Sequence, residues 1–76
     1  MLNDIMITLT AYASYKRNMC CINKHNIETC YNRAKRIDTK MLYKDKLKIW
    51  MSIYNNVMLK FVEHDSKIII IDIYKL

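Results

Sequence analysis

The sequence predicts an all-α protein: a small bundle of about four short helices with an extended or partly helical Ile-rich C-terminus. Two observations indicate this class. Apolar residues recur at spacings of three and four along most of the chain. The chain also contains no Gly and no Pro, and the tight turns of antiparallel sheets favour Gly at positive φ. A length of 76 residues corresponds to one domain, residues 1–76.

The first predicted helix lies within residues 2–17. Asn3 or Asp4 can cap its start, because a side-chain oxygen at that position accepts a hydrogen bond from a free amide of the first turn. The residues at helical spacing are Ile5, Leu9, Tyr12 and Lys16. Apolar residues also alternate from Ile5 to Leu9, as they would in a strand, so helix and strand both remain open for this segment.

Three more helices follow from the same spacing. The second begins at the cap residue Asn26, and the third runs from Asp45 to Tyr54. The fourth begins at the cap residue Asn56. Their apolar stripes are Ile27, Cys30, Tyr31, Ala34 and Ile37, then Leu47, Trp50, Met51 and Tyr54, then Val57, Met58, Phe61 and Val62. Residues 68–74 resemble a strand, but without a mate they are predicted to be extended chain or the start of a helix.

No residues form a pattern typical of catalysis, a cofactor site or a metal site, and we predict none of these. The metal candidates are Cys20, Cys21, His25 and Cys30, with His64 further away. Structural zinc sites use two pairs of ligands at short spacing, which this set lacks. Without Gly, the chain also has little means of forming a phosphate cradle or a backbone oxyanion site. We therefore expect a protein that is not an enzyme.

The net charge of +6 is the main argument for a nucleic-acid partner. Four lysines surround the start of the third predicted helix, near Tyr43 and Trp50, and they are Lys40, Lys44, Lys46 and Lys48. The alternative, which we favour, is that they form a solvated surface while Trp50 is buried, so nucleic acid is not the expected partner. The longest apolar run, residues 68–71, is too short to span a membrane. Three Cys, an odd number, fit a reducing intracellular setting.

The second half of the chain resembles a known family. Cys30, Ile37 and the segment 39–41 occur in its order, followed by an apolar stretch at 47–51. The segment Asn55-Asn56-Val57-Met58-Leu59-Lys60-Phe61-Val62 and the pairs Lys67-Ile68 and Ile73-Tyr74 complete the pattern. Residues 27–76 thus resemble the first part of the PRANC region, an F-box-like helical module at the C-terminus of poxvirus ankyrin-repeat host-range proteins. Arg33-Ala34 stands where the family has an acidic-apolar pair.

The resemblance implies a viral, non-enzymatic protein-interaction fragment in the host cytoplasm. Its partner would be a host protein, such as a Skp-type adaptor of a cullin-RING ubiquitin ligase. The family's adaptor-binding helices lie beyond the matched part, so a truncated remnant is expected. The alternatives are a small basic nucleic-acid-binding protein and an open reading frame without selected function. The predicted partner-binding surface consists of Trp50, Met51, Phe61, Val62, Ile69 and Ile71.

Overall fold

The computed structural model describes residues 6–76, which form two layers: a five-stranded sheet with two helices on one face. The elements in chain order are β1 (Met6–Leu9), α1 (Ala11–Met19), α2 (Lys24–Arg33), β2 (Ile37–Leu42), a short 3-10 turn (Lys44–Lys46), β3 (Lys48–Tyr54), β4 (Val57–His64) and β5 (Lys67–Lys75). The prediction of an all-α bundle is therefore wrong, and so is the description of the chain as helical.

The Ile-rich C-terminal run is a central strand of the sheet. The strand order is β1-β5-β4-β3-β2, so β5 lies between β1 and β4. It pairs in parallel with β1, from Met6 opposite Lys67 to Leu9 opposite Ile70, and antiparallel with β4. The expectation of an extended or partly helical segment failed because one mate, β4, was predicted to be a helix and the other, β1, comes from the other end of the chain. No local pattern reveals such a pairing.

The third and fourth predicted helices are the strands β3 and β4. Apolar residues are so dense in this part of the chain that periods of two and of 3.6 both fit it. In β3, Ile49, Met51 and Ile53 share one side of the strand, as alternating residues do. Asp45, the predicted cap of the third helix, lies at φ 58° in the β2–β3 connection.

Asn, Asp and Ser replace Gly in the two tight hairpins. Asn55 and Asn56 connect β3 to β4 at φ 50° and 65°, and Asp65 and Ser66 connect β4 to β5 at φ 50° and 62°. Positive φ at both central residues is characteristic of the two-residue type I′ turn. Short polar side chains tolerate this region because they can hydrogen-bond to the local backbone. The absence of Gly was therefore weak evidence against a sheet.

The N-terminal segment contains a strand and a helix in succession. β1 ends at Leu9, and Thr10 caps α1 by accepting a hydrogen bond from the Ala13 amide at 3.1 Å. The predicted caps Asn3 and Asp4, and Ile5, lie outside the described residues. The second predicted helix is present as α2. Asn23 is its cap, and the predicted cap Asn26 instead completes a capping box in the first turn.

The hydrophobic core lies between the helices and the sheet. Its buried members are Ala13, Ile22, Ile27, Cys30, Val57, Leu59, Phe61, Ile68, Ile70 and Ile73. α1 packs on β5 and β1, and α2 packs on β4 and β3, so each helix covers one half of the same face. Trp50 and Tyr54 are partly buried against this core.

The hairpin turns provide a test of the sheet. We expect Ser66→Gly to stabilise the protein by about 1 kcal/mol, because a non-Gly residue pays roughly that much in the left-handed region. For a domain of this size the melting temperature should rise by about 4–8 °C. The matched control is Ser14→Gly inside α1, which should cost about 0.5–1 kcal/mol. Thermal unfolding followed by circular dichroism measures both changes, and equal effects would contradict the turn geometry.

Candidate interaction surface

The sheet has two chemically different faces. The first face carries the side chains that pack on α1 and α2, including Leu59, Phe61 and Ile70. The second face carries the alternate side chains, and no element within residues 6–76 packs across it as the helices do on the first. The strand registers place side chains of this face next to each other: Val62 beside Ile69, Lys60 beside Met51, and Met58 beside both Ile53 and Tyr74.

The six residues of the predicted partner-binding surface are divided between these faces. Phe61 lies on the first face and is fully buried, and Trp50 opposite it is partly buried there. Val62 lies on the second face but is also fully buried, so it offers no contact area.

Met51 and Ile69 are half-buried residues of the second face, and they remain candidates for contact. Ile71 is the extra residue of a bulge, where the register between β4 and β5 shifts by one. The structure therefore separates the predicted set instead of bringing it together.

Arg36 is the centre of a polar cluster at one end of the first face. Its guanidinium donates two hydrogen bonds to the carboxylate of Glu63, and the Tyr31 hydroxyl donates another to the same group. The guanidinium carbon also lies 5.4 Å from the ring centre of Trp50 and 5.6 Å from that of Phe61. Because Arg36 lies between α2 and β2, these contacts fasten the connection to the end of β4.

The same contacts shift the pKa values of the cluster. The Arg36 hydrogen bonds lower the pKa of Glu63 below its usual value. Burial, followed by the hydrogen bond to Glu63, raises the pKa of Tyr31. Both carboxylate oxygens of Glu63 are occupied by Arg36 and Tyr31, so the group is not free to act as a base. The cluster therefore has a structural role.

The Glu63 pKa predicts a specific acid sensitivity. Because the folded pKa lies below the unfolded one, the stabilisation is complete above about pH 4.5 and is lost as pH falls through the folded value. We expect Glu63→Gln to reduce the free energy of unfolding by about 1 kcal/mol at pH 7, the upper end for a partly exposed pair. The difference between the two proteins should vanish toward pH 2. Urea unfolding at both pH values measures it.

The control for this prediction is Glu28→Gln. Glu28 forms an exposed pair with Lys24 at 4.0 Å, and such pairs contribute little. A loss in Glu63→Gln that is equally large at pH 2 and pH 7 would contradict the assigned role of the charge.

The accessible part of the second face lies on its β2–β3 side. Ile37 and Ile53 are 42% and 43% exposed, and Met51 is half-buried between them. Met51 pairs with Ile37 of β2 on one side and with Lys60 of β4 on the other. We call Ile37, Met51, Ile53 and Lys60 the β2–β3 patch. It combines aliphatic and thioether side chains with one cation, and Met makes such a surface adaptable in shape.

The β2–β3 patch contains one charged residue, Lys60, whose cross-strand neighbour on β5 is Asp72, and Asp72 is paired with Lys16 at 3.2 Å. Among the described residues, Lys60 forms no ion pair, and the same holds for Lys40, Lys44 and Lys46 in the neighbouring hairpin. Lys48 is paired with Asp38 at 3.1 Å. Lys60 lies within the patch, whereas the hairpin lysines lie at the far end of β2 and β3, beyond the pair Leu42 and Lys48. An unpaired cation would attract a negatively charged group.

The cysteines and histidines do not assemble into a site. Cys30 is buried, Cys20 is half-buried and Cys21 is exposed, and all three are free thiols. Burial raises the pKa of Cys30 to about 11, so its thiol stays protonated at neutral pH. Within residues 6–76 no three His, Cys, Asp or Glu side chains are close enough to hold a metal ion.

Sequence reasoning identified Met51 but missed Ile37, Ile53 and Lys60. The signal for Ile53 was present, because Ile49, Met51 and Ile53 alternate. No helix in the described part of the chain is both long and apolar enough to cross a bilayer. Comparison with protein-family models, curated proteins and solved structures gives no match for this chain.

Proposed function

We propose that the chain is a non-enzymatic protein-interaction module that binds an acidic, partly apolar segment of another protein on the β2–β3 patch. The observation that carries the proposal is the exposed pair Ile37 and Ile53, which lies on the sheet face that neither helix covers. Apolar contact would supply the binding energy, at about 25 cal/mol for each Å² removed from water. Lys60 would select a partner with a carboxylate opposite it.

A protein partner fits this patch better than nucleic acid does. Single-stranded nucleic acid binds by stacking its bases on aromatic rings. Phe61 is buried on the first face, and Trp50 lies on that face beneath Arg36 and Lys48, whose charged groups are 5.4 and 5.0 Å from its ring centre. The Tyr74 ring of the second face is covered by Lys16 at 4.0 Å. The β2–β3 patch itself contains no aromatic residue. The hairpin lysines are the observation that favours the alternative, a nucleic-acid-binding protein.

The resemblance to the PRANC region makes a Skp-type adaptor one candidate partner. That region is helical, whereas the matched segments at 47–51 and 57–62 lie in β3 and β4. Any contact with such an adaptor would therefore use the sheet and would differ from the helical docking of the family. The adaptor remains a proposal, tested by adding it to the purified chain.

Site-specific photo-crosslinking tests the proposed function. A photo-reactive residue replaces Ile53 on the patch, or Asn32 on the exposed side of α2 as a matched control. We expect a protein to be captured from position 53 only, through a peptide that contains Asp or Glu. Lys60→Glu should then weaken its binding at least tenfold, about 1.4 kcal/mol. Replacing the partner's crosslinked acidic residue by Lys should restore binding to Lys60→Glu.

Three results would overturn the proposal. The first is capture of the same proteins from positions 53 and 32. The second is binding that is indifferent to Lys60→Glu. The third is capture of nucleic acid with an affinity that falls steeply with salt and depends on Lys40, Lys44 and Lys46, which would establish the alternative function.

A further inference from the structure

The two edges of the sheet are protected to different degrees. At the β2 edge the pairing shifts register between Asp38 and Leu42, and Lys40 adopts φ 64°. The Asp38 carboxylate accepts a hydrogen bond from the Lys40 amide at 2.9 Å. Bulges and charged residues of this kind prevent another strand from pairing. The β1 edge, with the sequence Met-Ile-Thr-Leu, has a regular register and no charge.

The free hydrogen-bonding groups of β1 can be assigned. The Thr10 amide donates to the Ile70 carbonyl of β5 at 3.0 Å. Successive residues of a strand direct their amide and carbonyl groups to opposite sides. Thr8 therefore pairs with β5, and the amides and carbonyls of Ile7 and Leu9 point away from the sheet. Ile7 and Leu9 therefore offer two amides and two carbonyls, with Thr8 between the two residues.

The outward groups are self-complementary. If a second copy approaches antiparallel with Thr8 opposite its own counterpart, Ile7 of each chain lies opposite Leu9 of the other. All four outward groups of each chain then form hydrogen bonds in one register. The two Thr8 side chains become a cross-strand pair, which is a favourable combination.

Helix α1 follows β1 and carries an apolar stripe beyond the end of this edge. Tyr12, Tyr15 and Met19 are 57%, 60% and 62% exposed and follow the spacing of one helix face. We call these residues the α1 stripe. Such a row of large exposed apolar side chains is typical of a contact surface.

Lys16 shows which way the α1 stripe points. It reaches Asp72 at 3.2 Å and the Tyr74 ring at 4.0 Å, and both are second-face residues of β5. β1 pairs only with residues 67–70, so it leaves the side of β5 beyond them uncovered. Lys16 extends from the first face around that side to reach Asp72 and Tyr74. Lys16 and Tyr12 are adjacent, at 5.2 Å. The α1 stripe therefore lies beside the part of β5 that β1 leaves uncovered, beyond the end of β1.

We propose that a second copy of this chain binds along β1, antiparallel, so that the two sheets become continuous. The two α1 stripes then lie at opposite ends of the joined strands. A second copy is favoured over an acidic partner because β1 has no charge and Lys16 is neutralised by Asp72. The β2–β3 patch lies at the opposite end of the strand order, so the dimer leaves it accessible. This interface does not depend on the proposed function.

Sedimentation equilibrium of the full chain tests the dimer. At about 100 μM we expect a mass twice that of the 9.2 kDa chain, with dissociation on dilution, as is usual for small interfaces. Thr8→Lys should raise the dissociation constant at least tenfold while the circular dichroism spectrum stays unchanged. Tyr15→Glu, which lies away from the joint, should remain dimeric. Leu42→Lys, at a 61% exposed position on β2, is the matched control and should remain dimeric.

Amide hydrogen exchange on the unmodified chain provides a readout that does not depend on the folding of a variant. The Ile7 and Leu9 amides should be protected at high concentration and lose protection on dilution, whereas the Thr8 amide is protected throughout. A chain that stays monomeric at about 1 mM, where even weak interfaces associate, would overturn the proposal. Dimers that persist in Thr8→Lys, or fast exchange of Ile7 and Leu9 at every concentration, would also overturn it.

Discussion

Phe61→Ala is expected to remove a large share of the free energy of unfolding, about 3–5 kcal/mol, the largest loss among these substitutions. Phe61 is fully buried in β4, stacks edge-on against Tyr31 at 5.2 Å and lies beneath the Arg36 guanidinium. Truncation of a buried Phe costs about 3–5 kcal/mol. At roughly 0.05–0.15 kcal/mol per residue, a chain of this length has only about 4–11 kcal/mol of stability in total.

Urea unfolding monitored by circular dichroism measures this loss. Met41→Ala is the control, because Met41 is 57% exposed at the β2 edge and such substitutions usually stay within about 0.5 kcal/mol. Phe61 was predicted to belong to an accessible surface. A Phe61→Ala protein as stable as Met41→Ala would support that earlier prediction and contradict the burial described here.

Ile70→Ala is expected to cost about 2–5 kcal/mol, the second-largest effect. Ile70 is fully buried on the first face, opposite Phe61 in β4 and Leu9 in β1. The matched control is Ile53→Ala, the same substitution in another strand at a residue that is 43% exposed. We expect less than about 1 kcal/mol there, since a partly exposed site loses less burial.

Thermal melts distinguish the two Ile variants, because each kcal/mol corresponds to about 4–8 °C for a domain of this size. Equal losses at positions 70 and 53 would mean that the two faces are equally buried. That result would remove the basis for a docking surface on the second face.

Helix α2 could be predicted from the sequence because capping and amphipathic spacing are local signals. Ile27 and Cys30 were expected on the buried side of a helix, and both are buried beneath α2. The side chains of Asn23 and Asn26 accept hydrogen bonds from each other's backbone amides. The cap of α2 is therefore Asn23, three residues before the predicted cap Asn26.

The sheet was missed for two physical reasons. In β4, Val57, Met58, Leu59, Phe61 and Val62 are all buried, so the strand has apolar residues on both sides and lacks the alternation that identifies a half-buried strand. The parallel partner of β5 is β1, at the other end of the chain. Long-range pairings of this kind leave no local signal.

The candidate surface could be predicted even less well, because it depends on which residues share an uncovered face. Ile37, Ile53 and Lys60 come from three strands and are adjacent only through the registers of β2, β3 and β4. Trp50 and Phe61 were chosen for their size, and size is also what draws a side chain into a core. A helical assignment places Phe61 and Val62 on one apolar side, whereas a strand places them on opposite faces.

Methyl NMR with a soluble paramagnetic probe tests most directly whether the first face is shielded by the helices while the β2–β3 patch of the second face is accessible. Elsewhere on the second face Ile49, Met58 and Val62 are buried. The Ile and Met methyl groups report on both faces. We predict strong relaxation enhancement for Ile37, Ile53 and Met51, and little for Ile68, Ile70 and Ile73, with Ile69 and Ile71 in between. Uniform enhancement along residues 68–71, or shielding of Ile53 equal to that of Ile70, would contradict the two-faced sheet.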